Sequence, residues 1–133
     1  MPRLRVVAVA ARLPDWAEAA CSDYARRMPR GYEIERILIR KDLKKMLPQD
    51  GSCIALDERG RDMTTAQFAK LLGAQATFVI GGADGLPDEV RKKATLLLRL
   101  SSLTLPHALA QVVLIEQIYR AATLRVGHPY HRL

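Results

Sequence analysis

Four clusters in this 133-residue chain bring together groups able to do chemistry. The first is Ile80-Gly81-Gly82-Ala83-Asp84-Gly85-Leu86. A glycine pair leaving an apolar run lets the main chain approach a ligand closely. The segment lacks the G-x-G-x-x-G of dinucleotide sites and the G-K-[ST] of phosphate loops, and Asp84 would repel a polyphosphate. A neutral or cationic nucleoside-like ligand suits it better, although taken alone it reads first as a tight turn. The second cluster is Leu100-Ser101-Ser102-Leu103-Thr104-Leu105-Pro106-His107, apolar and hydroxyl-bearing, ending at a helix start. Its backbone groups could face an adenine-like ring; taken alone it reads as an ordinary core strand. His107 beside a helix N-terminus is disfavoured as a cation, so a neutral structural role is its plain reading. Glu116 and Arg120 form an i,i+4 pair, either a surface pair worth a few tenths of a kcal/mol or a buried pair at an interface or site. The last cluster is the tail His128-Pro129-Tyr130-His131-Arg132. Arginine can bind phosphate, tyrosine can stack on a base, and histidine can move a proton near neutral pH. Two histidines three apart, with Cys21 and Cys53 unsuitably spaced, do not make a zinc site. Both cysteines read as reduced packing residues.

These groups need elements to position them. Apolar strand-like runs at Leu4–Ala10, Glu33–Ile39, Cys53–Asp57 and Ala76–Ile80 alternate with helix-like runs. Helices are expected from Pro14 to about Met28, from Thr64 or Thr65 to about Leu72, from Pro87 to about Leu98, and from Pro106 to about Val126. Arg40–Leu47 has room for one or two helical turns, and Leu100–Leu105 reads as a short extended stretch. The alternation predicts a single α/β domain over residues 1–133, with a mainly parallel sheet and helices on both faces. Ligands of such sheets sit outside the carboxyl ends of the strands. That rule selects three loops: after Cys53–Asp57, after Ala76–Ile80, and Leu100–Pro106. The final helix is apolar on more than one side, which in so small a domain suggests a subunit interface.

Composition is 49% hydrophobic and 26% charged, which excludes wholesale disorder and low complexity. No apolar run approaches the ~18–20 residues of a membrane span, and the apolar part of the N-terminus is too short for a signal peptide, so a cytoplasmic protein with no membrane partner is expected. The formal charge is +7, and residues 91–133 hold seven basic residues against the single acid Glu116. A basic end on a near-neutral body points to an anionic partner, most often nucleic acid.

Together the segments resemble the ribosomal RNA large subunit methyltransferase H family, a minimal branch of the SPOUT class. The likeness runs along nearly the whole chain. It is carried by Leu13-Pro14-Asp15-Trp16, Ala55-Leu56-Asp57, the Ile80–Leu86 loop, Leu103-Thr104-Leu105-Pro106-His107, Leu114-Ile115-Glu116-Gln117-Ile118-Tyr119-Arg120-Ala121, and the closing His128–Arg132 motif. Each motif is moderately specific; all of them in order are highly specific. The resemblance implies a deep trefoil knot in the C-terminal half, a homodimer, and methyl transfer from S-adenosylmethionine to N3 of a pseudouridine in large-subunit (23S) ribosomal RNA, on the assembled ribosome. Cofactor contacts carry over onto Leu56, Gly81 and Leu100, Ser101, Ser102, Leu103, Thr104 and Leu105. The tail of one subunit is expected to complete the site of the other through Tyr130, His131 and Arg132, with His131 or Tyr130 helping to remove the N3 proton.

Two departures stand out. Arg40–Asp50 is shorter than the family's usual spacer between its second and third strands, and Gln111 stands where an arginine is usual. The alternatives are a SPOUT methyltransferase acting on another RNA, a non-catalytic ribosome-binding protein, and a flavodoxin-like small-molecule binder.

Overall fold

The computed structural model describes residues 4–10 and 12–131, the last by its backbone alone. Strand β1 is Leu4–Val9, followed by helix α1, Asp15–Arg26. Pro14 starts α1 with its carbonyl accepting from the Ala17 and Glu18 amides, and Asp15 and Glu18 place negative charge in the first turn, where the helix dipole favours it. Strand β2 is Ile34–Ile39, and a 3-10 turn at Leu43–Met46 occupies the short basic spacer. Strand β3 runs Ser52–Arg61 and helix α2 Thr65–Lys70, the latter opened by a reciprocal capping box between Thr64 and Gln67. Strand β4 is Ala76–Ile80, helix α3 Asp88–Lys93, strand β5 Leu96–Leu98 and helix α4 His107–Val126. Gly127, at φ +76°, ends α4 in the left-handed conformation that favours glycine.

The five strands form one parallel sheet in the order β2-β1-β4-β3-β5. Side chains alternate between its two faces. Leu4, Val6, Ala8 and Phe78 face one core, built with α1, α2 and α4; Val7, Val79, Cys53 and Ala55 face a second, built with the Leu43 turn and α3. The expected α/β architecture, with a parallel sheet covered on both faces, is therefore observed. Each fully buried aliphatic side chain here contributes about 1.5–3 kcal/mol. Cys21 and Cys53 are buried and unpaired. Among the described residues no helix is long and apolar enough to cross a membrane.

One region differs from expectation. A helix continuing to about Leu98 is predicted, yet α3 stops at Lys93 and Leu96–Leu98 form a strand. The edge of β3 overrides the helical preference of the leucines. Thr95 donates its amide to the Cys53 carbonyl (2.8 Å), its hydroxyl accepts from the Cys53 amide (3.0 Å), and Ile54–Leu56 then pair with Leu96–Leu98. The same pairing lengthens β3: the ladder breaks after Leu56 and resumes at Arg61. Leu100–Leu105 is an irregular loop rather than a core strand, and Leu103 is 75% exposed.

Candidate functional site

The carboxyl ends of β3 and β4 and the chain leaving β5 meet around a cavity of about 350 Å³, within the usual range of small-molecule sites. From β3 come Leu56, Asp57 and Glu58; from the glycine loop come Gly81, Gly82, Ala83 and Gly85; from the third loop come Leu100, Ser101, Leu103, Thr104 and Leu105. His107 and Ala110, on the first turn of α4, complete the lining. Seven of the eight positions carried over for the cofactor are thus brought together, and Ser102 is exposed and outside the lining.

The glycine loop owes its shape to two close approaches. The Gly85 amide donates to the Gly82 carbonyl (2.9 Å), closing the turn, and Gly85 sits at φ +79°. A Cβ on Gly81 would lie 2.7 Å from the carbonyl carbon and oxygen of Gly85 and 2.9 Å from the Leu86 nitrogen, so the bare backbone is required there. The sequence suggested that Asp84 colours this cavity electrostatically, but Asp84 is not among the lining residues. The acidic groups on the wall are Asp57 and Glu58. The Asp57 side chain, only 4% exposed, lies 3.0 Å from the guanidinium of Arg91 on α3, which ties the end of β3 to the far side of the sheet.

Burial pushes the pKa of His107 down, opposed by a hydrogen bond to the Gly81 backbone. Its Nε2 lies 2.8 Å from Gln111 Nε2. An amide nitrogen only donates, so His107 Nε2 accepts and the ring proton sits on Nδ1, where it can serve the Gly81 carbonyl. Gln111 is 1% exposed, so it sits inside the domain as the support of a site histidine. Asp57, Glu58, Ala83 and His107 were legible as neighbours of chosen residues; Ala110 became visible only once α4 was placed.

Tyr130 lies outside this cavity. Tyr130 donates its hydroxyl to Glu116 Oε2 (2.9 Å) and packs edge-on against Tyr119, with ring centroids 4.6 Å apart. Burial and its hydrogen bonds to Tyr24 and Glu116 raise its pKa above the ordinary tyrosine value, so here it is a donor and a poor proton acceptor. The His131 side chain and all of Arg132 lie outside the described residues. The C-terminal charge excess is also less free than its sequence suggests. Arg91 pairs with Asp57, Arg99 with Asp62 (2.6 Å) and Arg120 with Glu116 (2.7 Å), while Arg125 bonds Tyr32 and the Ala69 carbonyl. Among the described residues, Arg40, Lys41 and Lys45 in the spacer and Lys92 and Lys93 on α3 form no ion pair.

A glycine loop, a hydroxyl-rich loop and a helix start thus converge at the carboxyl edge of this sheet, where ligands of parallel α/β sheets bind. The family model described as "Predicted SPOUT methyltransferase" matches residues 2–131, and the chain belongs to that family. Among its relatives, a ribosomal RNA large subunit methyltransferase H of Polynucleobacter asymbioticus is 46% identical, the match covering 98% of this chain and 99% of that protein. One of the same name from Paraburkholderia phymatum is 41% identical over 98% and 99% of the two chains. The fold is also that of the SpoU methyltransferase AviRb from Streptomyces viridochromogenes, solved in complex with the cofactor AdoMet. The TM-score is 0.55 at 10% identity, covering 94% of this chain and 58% of that one.

Proposed function

We propose that this protein methylates N3 of a pseudouridine in large-subunit (23S) ribosomal RNA, with S-adenosylmethionine as donor, acting as a cytoplasmic homodimer on the assembled ribosome and carrying the trefoil knot of its class. One observation carries the reading: the three loops that the resemblance assigns to the cofactor line a single cavity of suitable size. S-adenosylmethionine supplies an electrophilic methyl group on a cationic sulfur. The residues present fit it. The bare backbone at Gly81 admits close approach, Leu56, Leu100 and Leu105 offer apolar walls, and Glu58 puts a carboxylate on the wall while the charge of Asp57 is met by Arg91.

The acceptor nitrogen must lose its proton before it can attack. Tyr130 is not among the cavity's lining residues and donates its own proton to Glu116, so within one subunit it is neither near the cavity nor poised as a base. This supports a composite site in which the partner's chain end reaches the cavity, with His131 as the proton acceptor and Arg132 on phosphate.

The test supplies methyl-labelled S-adenosylmethionine with free 23S rRNA, large subunits or whole ribosomes. Label is expected in assembled particles well above free rRNA. Absence of label from all three, with no heat of S-adenosylmethionine binding, would overturn the reading in favour of a non-catalytic binder. Sedimentation should give twice the 14.8 kDa protomer mass.

A further inference from the structure

The Glu116–Arg120 pair is not a surface pair. Its side chains are 18% and 26% exposed, and Glu116 is a hub. Oε2 accepts from Arg120 (2.7 Å) and from the Tyr130 hydroxyl (2.9 Å), while Oε1 accepts from Gln117 (2.8 Å). Gln117 in turn accepts from Thr65 at the start of α2 (2.9 Å). The Tyr130 ring is held on its other sides: Arg120 lies 5.0 Å from its centroid, Arg27 just past the end of α1 5.9 Å, and Tyr119 meets it edge-on. Side chains of α4 and of the end of α1 therefore converge on one tail side chain, and α2 braces Glu116 through Gln117. Chain ends are ordinarily frayed, and a carboxylate, two guanidiniums and an aromatic ring are more than fraying explains.

We infer that Glu116 is a positioning residue, and that Glu116, Arg120 and Tyr130 form a clamp fixing where the last residues of the chain emerge. The inference rests on the proposed reading, in which the chain end serves a methyl-transfer site. It reassigns Tyr130 from proton transfer to anchorage. The carboxylate cannot act on the reaction directly, because both its oxygens are occupied within the domain and it is not among the cavity's lining residues. The clamp acts by cutting the conformations open to the following residues, so that a proton acceptor among them is presented in place rather than searched for.

The test uses the full-length protein and the variants Tyr130→Phe, Glu116→Gln and Glu116→Ala, each first checked for cooperative thermal unfolding. The ring contacts survive in Tyr130→Phe, and Tyr130 belongs to neither hydrophobic core, so the variant is expected to fold. Carboxypeptidase trimming past residue 130 reads tail release without reference to activity; methylation of ribosomal particles and calorimetric S-adenosylmethionine binding are measured alongside. Loss of one hydrogen bond to a charged acceptor should speed trimming about tenfold in Tyr130→Phe, with Glu116→Ala at least as fast and Glu116→Gln between wild type and Glu116→Ala. The kcat should fall by a similar factor while cofactor affinity stays within about threefold. Trimming at the wild-type rate would overturn the clamp. Faster trimming with wild-type kcat would overturn its positioning role and leave the proposed function standing. A wild-type protein that methylates no ribosomal RNA would bring down the proposed function, and the positioning role with it.

Discussion

Replacing Gly81 by alanine places a methyl group 2.7 Å from the carbonyl carbon and oxygen of Gly85 and 2.9 Å from the Leu86 nitrogen. Ordinary contact begins at 3.4 Å, so the new atom is about 0.7 Å too close to groups that are all backbone. No side chain can rotate away. The Gly82–Gly85 turn itself must move, and that turn is one wall of the cavity. Overpacking of this kind costs about 1–3 kcal/mol. If that strain is relieved in the free loop and reimposed when a ligand needs the original shape, affinity falls about 10- to 100-fold. Two neighbours provide graded comparisons. At Gly82 the clash is with Val9 Cγ1 at 3.1 Å, a side-chain methyl that can give way. At Gly85 nothing lies within 4 Å of the added carbon, and the penalty is the φ of +79°, about 1–2 kcal/mol of stability with no intrusion on the loop. Calorimetric titration with S-adenosylmethionine, paired with thermal unfolding, separates the two effects. Gly81→Ala should lose most affinity, Gly82→Ala least, and Gly85→Ala should lose stability in excess of affinity. A Gly81→Ala protein that binds within threefold of wild type would refute the reasoning.

Four further outcomes are expected. The depressed pKa of His107 means the unfolded chain takes up the proton first. Its stabilising contribution is thus complete above the ordinary histidine value of about 6.5 and is lost as pH falls through the depressed folded value. His107→Asn, which cannot titrate, should flatten that part of the stability–pH curve, and Gln111→Ala should weaken S-adenosylmethionine binding in calorimetry. Reversing Arg40 and Lys41, which form no ion pair and lie on the spacer that opens beside Gly82 and Ala83, should weaken binding to ribosomal particles and reduce its salt dependence, with cofactor affinity unchanged. Glu18, held at a pKa of about 2 by hydrogen bonds from Arg36 and Ser22, supplies stability that is present above its ordinary value and lost as pH falls toward 2. Its side chain is half exposed, so Glu18→Gln should cost below about 1 kcal/mol at neutral pH, measured by urea unfolding, and less in high salt.

Much of the fold was legible because its strands are buried on both faces. Leu4–Val9 and Ala76–Ile80 are apolar runs bounded by polar turns, and both pair as such runs imply. The Thr64 cap and the Pro106 helix start were equally plain. Leu96–Leu98 were not. Three leucines continuing a helical run carry no local mark of a strand, and only the exposed edge of β3 and the Thr95–Cys53 bonds make them one. The site divides the same way. Gly81 and Leu100–Leu105 read alone as a turn and a strand and became site candidates through the carboxyl-end rule and the family resemblance, whereas the tautomer of His107 depends on Gln111 one helical turn away, and the burial of Gln111 depends on how α4 docks. Net charge was the least faithful guide. Arg91 and Arg99 find their acids at Asp57 and Asp62, distant in sequence and adjacent across β3 and the chain around β5.

The central claim is that this cavity methylates a pseudouridine of large-subunit ribosomal RNA, and mass mapping of that RNA from cells with and without the gene tests it most directly. The account predicts one pseudouridine-bearing fragment lighter by a single methyl group in the deletion strain and restored by the wild-type gene, but not by the Gly81→Ala gene. An identical fragment pattern in both strains would contradict it.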